Sequence, residues 1–154
     1  MMNRDPVSGS FYEVMNMTKE EIFALMNENP VFHLATMDGD RPRVRGMFLY
    51  RADENGIIFH TGGMKDLYRQ LSTDPHVELC FSGKGVQVRV SGVVEEVTDE
   101  ALKEEIFEHP TRGFLRAWKE KGIDARLRVY VLRGGTAVTW TLETNFLPKE
   151  YVTL

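Results

Sequence analysis

The region around Thr61 predicts an anion-binding turn. An apolar run ends at Thr61, two glycines follow, and Leu67 and Leu71 then recur at helical spacing. A strand, a tight turn and a helix in this order direct free backbone N–H groups and the positive end of the helix dipole at one point. The Thr61 hydroxyl and the Lys65 ammonium flank that point. We therefore expect this turn to bind a phosphate group.

The spacing of this turn does not fit one common class of phosphate site, the P-loop. A P-loop places four residues between its first glycine and Gly-Lys-Ser/Thr, whereas Gly62-Gly63-Met64-Lys65 is shorter and has no second hydroxyl for a magnesium ion. A nucleoside triphosphatase is therefore not expected. Taken alone, the segment is equally consistent with an ordinary glycine turn beside a solvated lysine.

Two arginines on the preceding strand could approach the same point. Strand residues alternate between faces, so Arg43, Arg45 and Met47 share one side of the strand predicted at residues 43–50. If this strand forms a hairpin with the next one, its arginines approach the predicted turn, and the planar guanidinium suits phosphate oxygens. The alternative is an exposed charged face that pairs with acidic residues such as Asp38.

Composition and charge argue against several other classes of protein. The chain has 154 residues, 19 basic and 23 acidic, and a formal net charge of -4, which does not fit a general nucleic-acid binder. Cys80 is the only cysteine, so an intrachain disulfide is not possible. No apolar run approaches the roughly 20 residues that cross a bilayer, and the first ten residues lack the pattern of a signal peptide. We expect a cytoplasmic protein without a membrane segment.

A metal site is not expected either. The four histidines are far apart in sequence, and neither a cysteine pair nor a helical H-x-x-x-H pattern would gather them: His33, His60, His76 and His109.

Turn signals divide the chain into about seven short strands with helices at the margins. Thr18 and Glu21 form a capping-box pattern that starts the first helix. Strands are predicted at residues 31–36, 43–50, 57–61, 76–82, 86–97, 126–133 and 136–142. We expect the first three to form a meander and the remaining four to form two hairpins, the second around Gly134-Gly135. Such connections favour a mainly β fold with an antiparallel barrel.

Three motifs in this order resemble a known family. They are A-T-M-D-G-D-R-P-R-V-R-G-M, then F-H-T-G-G-M-K-D-L-Y-R-Q-L-S-T-D-P-H-V-E-L, then V-Q-V-R-V-S-G-V-V-E-E-V. Their succession is similar to the FMN-binding split-barrel family related to pyridoxamine 5'-phosphate oxidase. The resemblance covers residues 18–142, which leaves residues 1–17 as an N-terminal extension and residues 143–154 as a C-terminal tail. It implies a six- to seven-stranded split β-barrel with two to four helices.

The resemblance also implies a cofactor site. It predicts a homodimer with one FMN in each of two clefts at the interface between subunits. Arg45, Lys65 and Thr61 would contact the phosphate, the strand from Arg43 to Met47 would follow the ribityl chain and ring, and Gln87 would approach the polar edge of the ring. The full set of predicted cofactor-binding residues is Arg43, Val44, Arg45, Gly46, Met47, His60, Thr61, Lys65, Gln87 and Trp140.

The expected activity is that of an FMN-dependent oxidoreductase acting on a small molecule or electron acceptor. Members that oxidise pyridoxamine 5'-phosphate end in a basic and aromatic motif, whereas Lys149 is the only basic residue after Arg133 here. We therefore expect another reductase or oxidase of this type. Two alternatives stay open: a split barrel that binds haem, through His33, His60 or His76, or a deazaflavin, and a flavin-binding sensor without catalytic activity.

Overall fold

The computed structural model describes residues 17–154. This part of the chain forms nine strands and four α-helices, which are separated by the predicted turns. The strands are β1 Val31–Asp38, β2 Arg41–Phe48, β3 Arg51–Asp53, β4 Gly56–Gly62, β5 His76–Gly83, β6 Val86–Val97, β7 Leu127–Leu132, β8 Thr136–Trp140 and β9 Tyr151–Thr153. The helices are α1 Lys19–Glu28, α2 Asp66–Thr73, α3 Glu100–Glu108 and α4 Arg116–Glu120, with 3-10 turns at Pro110–Leu115 and Asp124–Arg126.

The mainly antiparallel β fold predicted from the sequence is confirmed. Strands β3 and β9 have three residues each, and the other seven strands correspond to those predicted. The capping box of α1 is also confirmed: the Glu21 N–H donates to Thr18 Oγ1 over 3.1 Å, and the Thr18 N–H donates to Glu21 Oε1 over 3.2 Å. Apart from Met17, the predicted N-terminal extension lies outside the described residues.

Strand β6 is shared by both halves of the split barrel. It has 12 residues and pairs along one edge with β5. Along its other edge, residues 87–91 pair with β8 and residues 94–97 pair with β7. The predicted hairpin of the last two long strands is therefore wrong, because β7 and β8 lie end to end on the same edge of β6.

Glycine allows the chain to pass from β7 to β8. Gly134 has φ +66°, in the left-handed region that favours glycine. A Cβ on Gly135 would lie 2.4 Å from Leu132 Cδ2 and 2.9 Å from Val90 Cγ1, both closer than packed atoms approach. A side chain at position 135 would therefore displace Leu132 and Val90, at the point where the chain passes from β7 to β8 along the edge of β6.

The first three strands were predicted to form a meander. The first hairpin is present, but the pairing of the second predicted strand with the third is wrong. Within residues 17–154, β2 pairs with β1 alone, while β4 pairs with β3 and β7. The chain leaves β2 through Leu49, whose N–H donates to Pro30 O over 2.8 Å, and the short β3 then takes the edge of β4. Any contact between β2 and the end of β4 must therefore arise from closure of the barrel.

Two apolar clusters lie on opposite faces of β4. The barrel core contains Phe59 with Phe32 and Phe81, whose rings stack with centroids 4.6 Å apart. The flanking core contains Ile58 and packs under α3 and the 3-10 turn that follows it. Burial of each of these side chains contributes about 1.5–3 kcal/mol. Alternation along β4 therefore decides which of its residues face the barrel.

The C-terminal residues belong to the sheet. The sequence predicted a tail at residues 143–154, but β9 pairs with β8, and the Leu154 N–H donates to Gly135 O over 2.8 Å. Val152 and Leu154 also pack against the barrel core. The three-residue strand is too short to show an apolar period, which is why the sequence did not indicate it.

Candidate functional site

The turn between β4 and α2 places the first turn of a helix close to Thr61 and Lys65. The Gly63 N–H donates to Arg126 O over 2.8 Å, which holds the turn against the chain that leads into β7. Helix α2 begins at Asp66, and its N-cap residue, Lys65, makes no side-chain hydrogen bond to the helix. The first turn of α2 is therefore not capped by a side chain, so its positive end can face a ligand.

Arg45 reaches the same region from β2. Its Nη1 donates to Thr36 Oγ1 over 2.7 Å and to Leu34 O over 3.3 Å, and its Nη2 donates to Gln70 Oε1 over 2.5 Å. Burial lowers the pKa of the guanidinium from its ordinary value. An arginine nevertheless remains charged at any physiological pH. Arg45 is therefore a fixed cation held by neutral oxygen atoms.

Arg43 shares the face of Arg45 but is already paired. Its Nε lies 3.3 Å from Asp38 Oδ2, and Arg69 Nη1 lies 3.0 Å from Asp38 Oδ1. Hydrogen bonds from Arg69 and Arg43 lower the pKa of the Asp38 carboxyl. The pairing with Asp38 that the sequence left as an alternative is thus present for Arg43, and Arg45 is left as the arginine without a carboxylate partner among the described residues.

These groups surround a cavity of about 660 Å³. That volume is within the range of small-molecule and cofactor sites. Seven of the ten predicted cofactor-binding residues line it: Arg43, Val44, Arg45, Gly46, Met47, Thr61 and Lys65. The approach of β2 to the turn was thus predicted correctly, although barrel closure produces it and not the expected hairpin.

Five further residues line the cavity and were not predicted to bind the cofactor: Asp38, Met64, Asp66, Leu67 and Gln70. Gln70 is 4% exposed and lies on the buried side of α2 with Leu67 and Leu71. Its position between two leucines at helical spacing was a signal in the sequence, because a polar residue on a buried helix face requires a polar partner.

His60 lies on the other face of β4 and does not line the cavity. Its Nε2 accepts a hydrogen bond of 2.8 Å from Nε of Arg112, a residue that is 1% exposed. Burial and the charges of Arg112 and Lys65 lower the pKa of His60 to about 4. The ring is therefore neutral near pH 7 and acts as an acceptor for the buried guanidinium.

Gln87 and Trp140 are also outside the cavity, but they are neighbours of each other. They are directly opposite residues on β6 and β8. They lie on the face of the sheet that points away from the barrel core, because Val88 and Ala137 point into that core. The Trp140 Nε1–H donates to Asn145 Oδ1 over 2.8 Å. Neither residue lines the cavity of its own chain.

Neither a metal cluster nor a membrane-spanning helix is present in the part of the chain that the structure describes. Within residues 17–154, histidine, cysteine, aspartate and glutamate form no group of three or more that could hold a metal ion. The helices of the same part of the chain are all too short or too polar to cross a membrane.

The chain matches the family model described as pyridoxamine 5'-phosphate oxidase over residues 18–139. A pyridoxine/pyridoxamine 5'-phosphate oxidase from Rhizobium meliloti (strain 1021) is 33% identical over 99 residues, which are 62% of this chain and 48% of that protein. The chain spans about half the length of the curated relatives it matches.

Solved structures share the fold over most of the chain. A NimC/NimA family protein from Clostridium acetobutylicum has a TM-score of 0.69 and 21% identity, and the match covers 94% of this chain and 99% of that one. A heme binding protein from Mycobacterium smegmatis has a TM-score of 0.62 and 17% identity, with 84% and 55% covered. At these identities the comparisons establish the fold alone.

Proposed function

The chain belongs to the pyridoxamine 5'-phosphate oxidase family, and on that premise we propose that it binds FMN in the cavity beside Arg45 and acts as an oxidoreductase. Members of this family typically bind a flavin. The observation that carries the proposal is the convergence of Arg45, Lys65 and Thr61 with the backbone of β2 on one cavity.

The polar end of the cavity suits the phosphate group of FMN. This group carries nearly two negative charges at neutral pH. Arg45 and Lys65 would oppose these charges, and the Thr61 hydroxyl and the first N–H groups of α2 would add hydrogen bonds. Because Arg43 is paired with Asp38, we assign it a smaller part in holding the phosphate.

The remaining length of the cavity suits a planar ring. Residues 44–47 of β2 line it, so backbone groups and the apolar Met47 would lie along the ribityl chain and flavin. When bound, FMN supplies the redox chemistry through its ring system. The described lining residues include no histidine or cysteine, so the part that we assign to the protein is to bind and orient the cofactor.

We propose further that two copies form a homodimer through the outer sheet face, which we define as the outward-facing residues of β2, β1, β5, β6 and β8. On this face Val31 is 66% exposed and Val44 is 68% exposed. The buried Nε of Arg89 has no hydrogen-bond partner within residues 17–154. A second copy on this face would cover the valines and could bring its own Gln87 and Trp140 to the cavity.

The dimer is tested by light scattering coupled to size-exclusion chromatography. We expect the mass of two chains, and we expect Val31→Glu to shift the protein toward one chain because a charge would be buried at the interface. Ala101→Glu is the control, since it adds the same charge at an exposed position of α3, which packs on the flanking core. A wild-type protein with the mass of one chain would contradict the dimer.

The absorbance spectrum of the purified protein tests the cofactor. We expect flavin bands, release of FMN on denaturation, and loss of the oxidised spectrum when NADH or NADPH is added without oxygen. Flavin that stays oxidised with both donors and with a panel of acceptors would support a binding protein without catalytic activity. A protein that carries no flavin and takes up no added FMN would contradict the proposal.

Haem is the second candidate, because one solved protein with this fold is a heme binding protein. The histidines offer little support: none lines the cavity among the described residues, His60 Nε2 accepts from Arg112, and His76 is exposed and pairs with Asp74. Met47 and Met64 do line it and could act as axial ligands. A Soret band without flavin absorbance would favour haem.

A further inference from the structure

Gln70 is a buried amide at the wall of the cavity. It is 4% exposed and lies on the side of α2 that packs toward the barrel, between Leu67 and Leu71. It lines the cavity together with Arg45 and Lys65. A buried amide normally has partners for both its oxygen and its nitrogen.

The contacts of Gln70 determine the orientation of its amide. A guanidinium can only donate, so the amide atom 2.5 Å from Arg45 Nη2 must be the oxygen. Thr36 Oγ1 donates to the same oxygen over 2.6 Å and accepts from Arg45 Nη1 over 2.7 Å. The three side chains form a closed triangle in which the Gln70 oxygen accepts two hydrogen bonds.

The amide nitrogen of Gln70 is left without an acceptor. Within residues 17–154 the side chain makes no hydrogen bond through Nε2. The neighbouring cations Arg45 and Lys65 cannot accept hydrogen bonds, and neither carboxylate of the cavity wall, Asp38 or Asp66, accepts one from Nε2. An anion whose oxygens only accept is therefore the complementary ligand for this nitrogen.

We propose that Gln70 binds the phosphate of FMN through Nε2, and that Gln70 and Thr36 together position Arg45 for the same phosphate. This inference rests on the proposed binding of FMN. Thr36 is then a positioning residue, because its hydroxyl contacts Arg45 and Gln70 and not the cofactor. The triangle would make the site selective for a phosphorylated flavin over riboflavin, which lacks the group that Nε2 and Arg45 would bind.

The test is the ratio of the dissociation constants for riboflavin and FMN, measured by fluorescence titration of flavin-free protein. Gln70→Met keeps the length of the side chain and removes both polar groups. We expect it to weaken FMN binding about tenfold or more, the effect of losing a hydrogen bond to a charged group, and to leave riboflavin binding within about twofold. Gln70→Glu should weaken FMN binding further near neutral pH, because a carboxylate would pair with Arg45 and repel the phosphate.

Variants of Thr36 distinguish a role in positioning Arg45 from a role in packing alone. Thr36→Val keeps the shape and removes the hydroxyl, so FMN binding should weaken about threefold to tenfold because one restraint on Arg45 is lost. Thr36→Ser restores the hydroxyl and should restore the affinity. A role in packing alone predicts the reverse, because valine fills the space of threonine better than serine does.

Asn27 provides the matched control. It is an amide at an exposed position outside the cavity, and it makes two hydrogen bonds to one backbone residue: Nδ2 donates to Ala52 O over 2.7 Å, and Oδ1 accepts from the Ala52 N–H over 3.0 Å. Asn27→Leu should lower the melting temperature without changing the ratio of riboflavin to FMN dissociation constants. This control separates loss of a hydrogen-bonded amide from loss of a phosphate ligand.

The outcomes distinguish the two proposals. A wild-type protein that binds FMN, with Gln70→Met leaving FMN affinity within twofold or weakening FMN and riboflavin equally, overturns the role of Gln70 and leaves FMN binding intact. A folded wild-type protein that does not bind FMN overturns both. If Gln70→Met does not fold, Gln70→Asn is used, which keeps an amide but withdraws it from the cavity, and the same ratio decides.

Discussion

Arg45 and Arg112 are both arginines whose guanidinium groups are fixed by hydrogen bonds, but their surroundings differ. Arg112 is 1% exposed, donates to His60 Nε2 over 2.8 Å and to Leu49 O over 2.7 Å, and lies 4.3 Å from the centre of the Phe48 ring. Arg45 is held by Thr36 and Gln70 on one side and faces the cavity on the other. Burial lowers the pKa of each group.

The difference separates a structural cation from a binding cation. The acceptors around Arg112 come from β4, from the end of β2 and from its own 3-10 turn, so its bonds join these elements. The acceptors around Arg45 fix its direction and leave space in front of it. Burial alone therefore does not indicate a ligand site. A cation must also face a cavity that an anion can enter.

The largest expected effect is on stability, from Arg112→Met. The substitution leaves Leu49 O and His60 Nε2 buried without donors, and we expect a loss of about 4 kcal/mol in the free energy of unfolding. Urea denaturation measures it. Arg41→Met is the control, since Arg41 is exposed on β2 and should change stability by no more than about 0.5 kcal/mol. A loss below 1 kcal/mol in Arg112→Met would remove the distinction between the two arginines.

The second effect is a dependence of stability on pH at the same cluster. The pKa of His60 is lowered from 6.5 to about 4 in the folded chain, so the unfolded chain binds the proton first as the pH falls. Stability should decrease between about pH 6.5 and pH 4, by up to about 3 kcal/mol. His60→Gln can still accept from Arg112 and does not titrate. The difference in stability between wild type and this variant should therefore change across that range, and a constant difference would contradict the assignment.

The third effect is on FMN affinity, with the fold retained. Arg45→Ala or Lys65→Ala should cost about 1.5–3 kcal/mol of FMN binding, the range for hydrogen bonds to charged groups. Titration of flavin-free protein measures it, and Arg112→Met, compared as folded protein, should bind FMN with nearly wild-type affinity. Unchanged affinity in both alanine variants would exclude this cavity as the phosphate site.

The smallest effect is expected from Asp38→Asn. The carboxylate holds Arg43 and Arg69 and adds a negative charge to the cavity wall, so its removal should strengthen FMN binding, by about threefold at low salt and less at high salt. Titrations at two salt concentrations measure the change. Weaker binding would mean instead that Asp38 is needed to orient Arg43.

The sequence predicted those parts of the site that local patterns encode. The glycine turn, the capping box and the alternation of Arg43 and Arg45 each depend on residues close in the chain. Alternation also places His60 and Thr61 on opposite faces of β4, although the predicted set included both. The partner of His60 is Arg112, 52 residues away, and no local pattern connects them.

Pairings that skip neighbouring strands were not predictable in the same way. The meander and the last hairpin were expected because consecutive strands usually pair. Here β3 pairs with one edge of β4, and β6 is long enough to pair with β8 and with β7 along the same edge. The close contacts at Gly135, where β7 passes into β8, depend on packing in three dimensions, which local sequence patterns do not show.

The sharing of β6 also bears on how the protein unfolds. Its hydrogen bonds hold β5 on one edge and both β7 and β8 on the other. Neither half of the sheet can therefore separate without breaking bonds to the strand that completes the other half. Residues 17–154 should behave as a single cooperative unit, without a stable partly unfolded form in which one half persists alone.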